Sequence, residues 1–340
     1  MILNLKLLNE HIIYKHFKME SLNTALECIT PGCYMASVDL KDAFFSIPMF
    51  PPHQKYLKFI YRDIMYKFTC MPQGYGPSMR IFTKMLKPAF SYLREKNFSS
   101  VVYVDDNLLL GDTYTECSNN VTETVDLLSK LGYTIHADKS IFIPTQEIVF
   151  LGFILNSNTM TISLTDEKKK KIKNMCIDTI KNPCISIRRL ASIIGNMVSA
   201  FPTLPHGRLF YRSLEFQKID SLSIHKGNFD KNILVSSDAI QDITWWRDHI
   251  DLATTSILKP KITVTIYTDA SHMEWGIHCN KISNGDRWSI IDKDLHINIL
   301  ELKAVFIGLK AFCSDKKNIH VQIMSDSSTA IYYINNMGGI

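Results

Sequence analysis

Two adjacent carboxylates, Asp105 and Asp106, sit between apolar runs in VVYVDDNLLL, and a third, Asp39, closes the apolar run in ASVDLKDAFFSIP. VVYV and NLLL read as the strands of a hairpin with the aspartates at its turn. A two-residue hairpin turn calls for positive φ, which Gly and Asn adopt more readily than Asp, so an aspartate pair there asks for a functional reason. Taken alone, the pair is also compatible with a solvated turn. Asp39 supplies context, because it lies far off in sequence yet also at a strand end. Carboxylates from neighbouring strand ends can hold two divalent metals roughly 3.5–4 Å apart, as phosphoryl and nucleotidyl transfer require.

A second carboxylate set lies near the C-terminus. Asp269 ends the alternating strand of TIYTDASHMEWGI, Glu301 lies on the amphipathic helix HINILELKAVFIGLKAF, and Asp326 ends the strand of VQIMSDSSTAIYYINN just before another helix. Two strand ends and a helix can also converge on paired metals. Singly, Glu301 reads as a surface glutamate and Asp326 as a helix N-cap. The two sets are expected to form separate clusters.

The elements that position these residues follow from pattern. Residues 1–36 read as a strand, a loop and the short helix FKMESLNTAL, stopped by Pro31-Gly32. Tyr34–Asp39 is a strand, YLKFIY and MYKFTCM form a hairpin around Arg62-Asp63, and 79–96 and 115–131 carry helical periodicity. After the polar connection NSNTMTISLT come helices at 166–181, 186–200 and 237–250. A strand-rich segment opens beyond Pro260. The alternation predicts an α+β multidomain chain. Its 340 residues allow two or three domains.

Composition excludes several classes. Hydrophobic residues make up 46% and charged residues 21%, as in ordinary globular proteins, which argues against disorder. The net charge of +5 permits a polyanionic partner without demanding one. The eight cysteines are scattered singly, with no CxxC pair and no zinc-finger spacing, so reduced thiols are expected. No apolar run is long enough to span a membrane and no signal peptide is evident, so a soluble, intracellular protein is expected. The lysines of DEKKKKIK lie away from Ile172, Met175, Cys176 and Ile180 on a helix, as a solvated face or as a contact for phosphates.

These motifs carry a resemblance. VDLKDAFFSIP resembles the first conserved block of reverse transcriptases, and MPQGYGPSMRIFTKML the block that holds template and incoming nucleotide. YVDD resembles their catalytic hairpin, and LGYTIHADKS and IVFLGFIL are similar to the blocks that supply a late lysine and the primer grip. The five blocks stand in the family's order over roughly residues 2–156. The resemblance implies a right-hand polymerase palm, an antiparallel sheet with helices, at 1–156 with a remnant of the fingers. A helical thumb and connection follows at 157–258. Asp39 and Asp105 are implied as ligands of Mg²⁺ or Mn²⁺, with Asp106 supporting them. Leu40, Phe44, Gln73, Tyr75 and Lys139 are implied as substrate-binding, Phe44 as the gate against a ribose 2′-hydroxyl and Lys139 as a proton donor to pyrophosphate.

TDAS, LELKA and SDSSTA look like the blocks that open a ribonuclease H domain, placed at 259–340 as an α/β half-domain, with Asp269, Glu301 and Asp326 as its metal-binding catalytic residues. HINILELKAV and INNMGG are especially similar to DIRS-type (gypsy-related) retrotransposon polyproteins. The implied activity is RNA-directed DNA synthesis with associated ribonuclease H. The implied partners are an RNA template, a DNA primer, dNTPs and the RNA–DNA hybrid. In register, a triphosphate-clamping arginine of the family's fingers strand falls just before Met1. The last ribonuclease H carboxylate and a nearby histidine fall beyond Ile340. The alternative expectation is therefore a catalytically impaired remnant that at most binds nucleic acid.

Overall fold

The structure is a computed structural model that describes residues 3–338. It divides into two compact units, one of residues 1–165 with 254–257 and one of residues 166–253 with 258–340.

Unit 1 opens with helices α1 (Lys6–Glu10) and α2 (Leu22–Cys28). Strand β1 (Tyr34–Asp39) is followed by the hairpin β2 (Lys58–Tyr61) and β3 (Ile64–Lys67), then helix α3 (Ser78–Glu95). Next come β4 (Ser99–Tyr103), β5 (Asp106–Gly111), helix α4 (Tyr114–Lys130) and β6 (Ile141–Thr145). The sheet β4-β5-β1-β6 sets β1 antiparallel between β5 and β6. β1 and β5 are central strands, so Met35, Ala36, Val38, Leu108, Leu109 and Leu110 are all buried. α3 and α4 pack Phe82, Leu86, Phe90, Leu93, Cys117, Val121 and Leu128 into one core with Ala36, Val38 and Leu109. The capping box of Thr113 with Glu116 starts α4. A second sheet has the order β12-β9-β8-β7, from β7 (Glu147–Phe150), β8 (Phe153–Asn156), β9 (Thr161–Leu164) and β12 (Thr254–Ser256).

Unit 2 begins with helices α5 (Asp166–Lys181), α6 (Ile187–Ala200), α7 (Arg212–Ile224) and α8 (Ser237–His249), with the short strand pair β10 (Cys184–Ser186) and β11 (Asn232–Leu234). Trp246 is wholly buried among these helices and its Nε1–H donates to Phe210 C=O at 2.8 Å. Gly207 lies flat against that ring, where a Cβ would come within 2.4 Å of it. The rest of unit 2 is a sheet in the order β15-β14-β13-β16, made of β13 (Val264–Ala270), β14 (Glu274–Cys279), β15 (Ile282–Arg287) and β16 (Val321–Met324). β13 and β16 run parallel, the other pairs antiparallel. Helix α9 (Ile297–Cys313) crosses one face, closely enough that a Cβ on Gly308 would touch Ile266 at 3.1 Å, and α10 (Ser328–Asn335) follows β16. Among the described residues no helix is long and apolar enough to cross a membrane, and all eight cysteines are free thiols.

Three expectations are corrected. The N-terminal strand is helix α1 instead: Leu5 is buried and Leu7 exposed, so Leu5 and Leu8 follow helical spacing rather than alternation. The polar connection after residue 157 contains β9, because Met160, Ile162 and Leu164 alternate inward. Helix α7, which the pattern did not reveal, buries only Leu214 and Ser221 and so shows almost no amphipathic stripe.

Candidate active sites

β1 and β5 bring the first set together, with Asp39 opposite Asp106 in the register. Tyr103 pairs with Asp106, so the two turn residues are Val104 and Asp105, not the two aspartates. The positive φ falls on Val104, at 58°, and Val104 is buried. A β-branched residue in that region costs of order 1–3 kcal/mol, and strain of this kind concentrates at functional sites. Leu40 N–H donates to Asp105 C=O at 3.1 Å and ties the turn to the end of β1. A returning segment is pinned alongside: His136 N–H donates to Asp39 C=O at 2.8 Å and Asp39 N–H to Ser140 Oγ at 3.0 Å. That pinning brings Lys139 to the carboxylates.

A cleft of about 280 Å³ is lined by Asp39, Leu40, Phe44, Gln73, Asp105 and Lys139, with Asp42, Phe45 and His136. Asp106 is outside that lining and lies opposite Asp39 in the strand register. Burial, then the charges of Asp105 and Asp39, push Asp106 up to about 6. Burial also raises Asp105, reinforced by Asp39 and opposed by Lys139. Three half- or fully buried carboxyls that repel one another fit a divalent cation, whose charge would relieve the repulsion. Phe44 stands edge-to-face on Phe82 with centroids 5.7 Å apart. Tyr75 is not in this cleft: it lines a separate apolar cavity with Leu7, Leu8, Ile12, Met49 and Leu57.

The second set is tighter. Asp269, Glu301 and Asp326 each offer a carboxylate oxygen, all within 4.8 Å of one another, and among the described residues this is the one set of three such groups so close. Asp39, Asp105 and Asp106 do not converge to that degree as a trio. Ile266 and Thr268 are buried on one face of β13 while Tyr267 and Asp269 are exposed on the other. Glu301 belongs to the buried stripe of α9 with Leu300, Ala304, Val305 and Gly308. Burial raises its pKa, with Asp326 and Asp269 adding to the effect. Its Oε2 is buried with no hydrogen-bond partner, an acceptor that a cation would satisfy. Ser327, rather than Asp326, caps α10, which leaves the Asp326 carboxylate to the set. Asp269 and Asp326 also line a cleft of about 590 Å³ with Tyr267, His278, Ser283, Asn284 and Ser325.

Residues 1–155 match the family described as reverse transcriptase (RNA-dependent DNA polymerase). The match covers a little under half of the chain. Among curated relatives, the Gag-Pol polyprotein of avian reticuloendotheliosis virus is 28% identical over 172 residues, 48% of this chain and 15% of that protein. The Gag-Pol polyprotein of walleye dermal sarcoma virus is 24% identical over 280 residues, 77% of this chain and 15% of that protein. The chain thus spans well under a quarter of these relatives. The solved foamy viral protease–reverse transcriptase in complex with double-stranded DNA has a TM-score of 0.61 at 18% identity, over 96% of this chain and 55% of that one, which establishes a shared fold.

Within residues 1–155, the pattern of residues overlooked Asn107. It is wholly buried in β5, and its Nδ2 donates to Val38 C=O at 2.9 Å and Asp105 C=O at 3.0 Å. It thereby ties β5 to β1, which carries Asp39, and to the turn that carries Asp105. The one available signal was a polar residue inside the apolar run NLLL. Asn107→Leu is expected to lower stability by about 1–3 kcal/mol, read from the urea midpoint, since Val38 C=O and Asp105 C=O each lose a donor, the latter keeping only Leu40 N–H. An unchanged midpoint would show that Asn107 does not join the strands.

Proposed function

We propose that this chain is the polymerase part of a retroelement reverse transcriptase, an RNA-directed DNA polymerase acting on dNTPs, an RNA template and a DNA primer. The observation that carries the reading is the single cleft in which Asp39, at the end of β1, and Asp105, in the β4–β5 turn, stand with Phe44, Gln73 and Lys139. Mg²⁺ or Mn²⁺ would be held by Asp39 and Asp105 with Asp106 beside them, and when bound supplies charge neutralisation of the triphosphate and activation of the primer hydroxyl. Leu40 and Gln73 wall the nucleotide, Phe44 crowds the sugar, and the Lys139 ammonium faces the departing pyrophosphate as its proton donor. In this reading residues 1–156 form the palm and 157–258 the thumb and connection. The exposed Lys170 and Lys171 of α5 meet the phosphate backbone.

The convergence of Asp269, Glu301 and Asp326 favours a second activity, ribonuclease H on the RNA–DNA hybrid, in residues 259–340. HINILELKAV and INNMGG support a DIRS-type affiliation within the retroelements. The reading is tested by extension of a DNA primer on an RNA template with dNTPs and Mg²⁺. Template-dependent extension is expected, and its absence with both metals would leave the impaired remnant as the description.

Phe44→Ala is expected to reduce discrimination against ribonucleotides by about 10–100-fold, because the ring occupies the space of a 2′-hydroxyl. Competing dNTP and rNTP incorporation measures this, and unchanged discrimination would leave Phe44 as a core partner of Phe82 only.

A further inference from the structure

Asn9, on α1, reaches both flanks of Tyr75. Its Nδ2 donates to Gly74 C=O at 2.9 Å, and its Oδ1 accepts from Gly76 N–H at 2.9 Å. An amide that donates and accepts on either side of one residue copies the pairing of a neighbouring strand. It fixes backbone that belongs to no regular element. Both glycines make room for this approach. A Cβ on Gly76 would stand 3.2 Å from Asn9 Oδ1, and one on Gly74, whose φ is +88°, 3.1 Å from Leu3 C=O. The other ties of the loop are local, such as Ser78 N–H to Tyr75 C=O at 3.0 Å and Ser78 Oγ to Pro72 C=O at 3.3 Å. Among the described residues Asn9 supplies the long-range tie, 65 residues from Gly74.

The position of this clasp gives it a consequence. Gln73, directly before Gly74, lines the carboxylate cleft, and Tyr75 lines the apolar cavity that Leu7 and Leu8 of α1 help to form. Asn9 lines neither. We infer that Asn9 is a positioning residue for nucleotide binding, its amide holding the Gly74–Gly76 backbone so that Gln73 stays on the wall of the cleft. This rests on the polymerase reading. Without the clasp the loop samples other conformations, and nucleotide binding must then select the competent one, which weakens apparent affinity without altering the chemical step.

The test compares wild type with Asn9→Ala, which removes both bonds, and Asn9→Asp, which keeps the acceptor for Gly76 but sets a carboxylate against Gly74 C=O. Steady-state primer extension gives KM for dNTP and kcat, and hydrogen exchange of the peptide 72–78 reports the loop directly. For Asn9→Ala, KM is expected to rise about tenfold with kcat within about twofold, alongside faster exchange in 72–78. Asn9→Asp is expected to be impaired at least as much. A role in folding alone would lower Tm and kcat and leave KM in place, and that result, or unchanged exchange, overturns the inference. Should wild type extend no primer, the polymerase reading falls and exchange alone judges the clasp. Faster exchange in Asn9→Ala then sustains it, and equal exchange overturns it.

Discussion

Asp105→Asn is expected to lower primer extension by about a thousandfold while leaving the fold intact or slightly firmer. The loss follows from removing one of the two carboxylates that line the cleft and are proposed to hold the metals. The gain follows from charge: burial and Asp39 raise the pKa of Asp105, so its ionised form is a cost to the folded state. The neighbouring Asp106 lets the sign be tested by pH. Its folded pKa, about 6, lies above its ordinary value of 3.8, so the folded chain holds this proton more tightly than the unfolded one. The destabilisation it causes is absent below about pH 4, grows as pH rises through 6, and is complete above that. Asp106→Asn removes the charge and keeps a side chain of nearly the same size beside Asp39. Its Tm should match that of wild type near pH 4 and exceed it above pH 6. The excess should be roughly 1 kcal/mol once solvent screening is allowed for, or about 2–4 °C. Added Mg²⁺ should narrow the difference by stabilising wild type. A Tm difference that shrinks with rising pH would overturn the reading of the cluster.

Glu301→Gln carries the second large effect. In an Asp39→Asn, Asp105→Asn, Asp106→Asn background the proposed metal site of the first set is removed, and Mn²⁺ binding followed by calorimetry should weaken at least about tenfold on this substitution. Cleavage of the RNA strand of a hybrid should fall about a hundredfold in the otherwise wild-type chain, with primer extension unchanged. Metal-free stability should hold or rise at neutral pH, because the buried, unpartnered Oε2 no longer carries charge. Equal Mn²⁺ affinity in the two proteins would show that Asp269, Glu301 and Asp326 hold no cation together.

Much of the fold was legible where periodicity is strong. The hairpin over 101–110 matches β4 and β5, and the helices near 79–96, 115–131 and 166–181 match α3, α4 and α5, within a residue or two. Failures share a physical cause. In α1 five helical residues are too few to outvote the alternation of Leu3, Leu5 and Leu7. In α7 only Leu214 and Ser221 face inward, so no stripe appears. The site divides the same way. Carboxylates at strand ends are conspicuous by type, and Asp39, Asp105, Asp269 and Asp326 could be picked out. Asn9 and Asn107 act through single amide contacts with distant backbone, which leave no periodic trace in sequence. Glu301 was placed on the right helix, yet its membership of the buried stripe needed the packing of α9 on β13 and β14.

The central position of β1 also orders events during synthesis. Its two neighbours in the sheet, β5 and β6, are encoded about 70 and 100 residues later, and the Asp39 amide finds its acceptor on Ser140, 101 residues downstream. At about 5–20 residues per second, a nascent chain carries Tyr34–Asp39 unpaired for roughly 5–20 s after it is made. Through that interval YMASVD is an apolar strand with both edges open, the kind of segment that pairs with a neighbouring copy. Aggregation during expression should therefore track translation speed across residues 40–140. Slowing that stretch with rare codons would lengthen the exposure, and a chaperone that shields extended apolar segments would offset it.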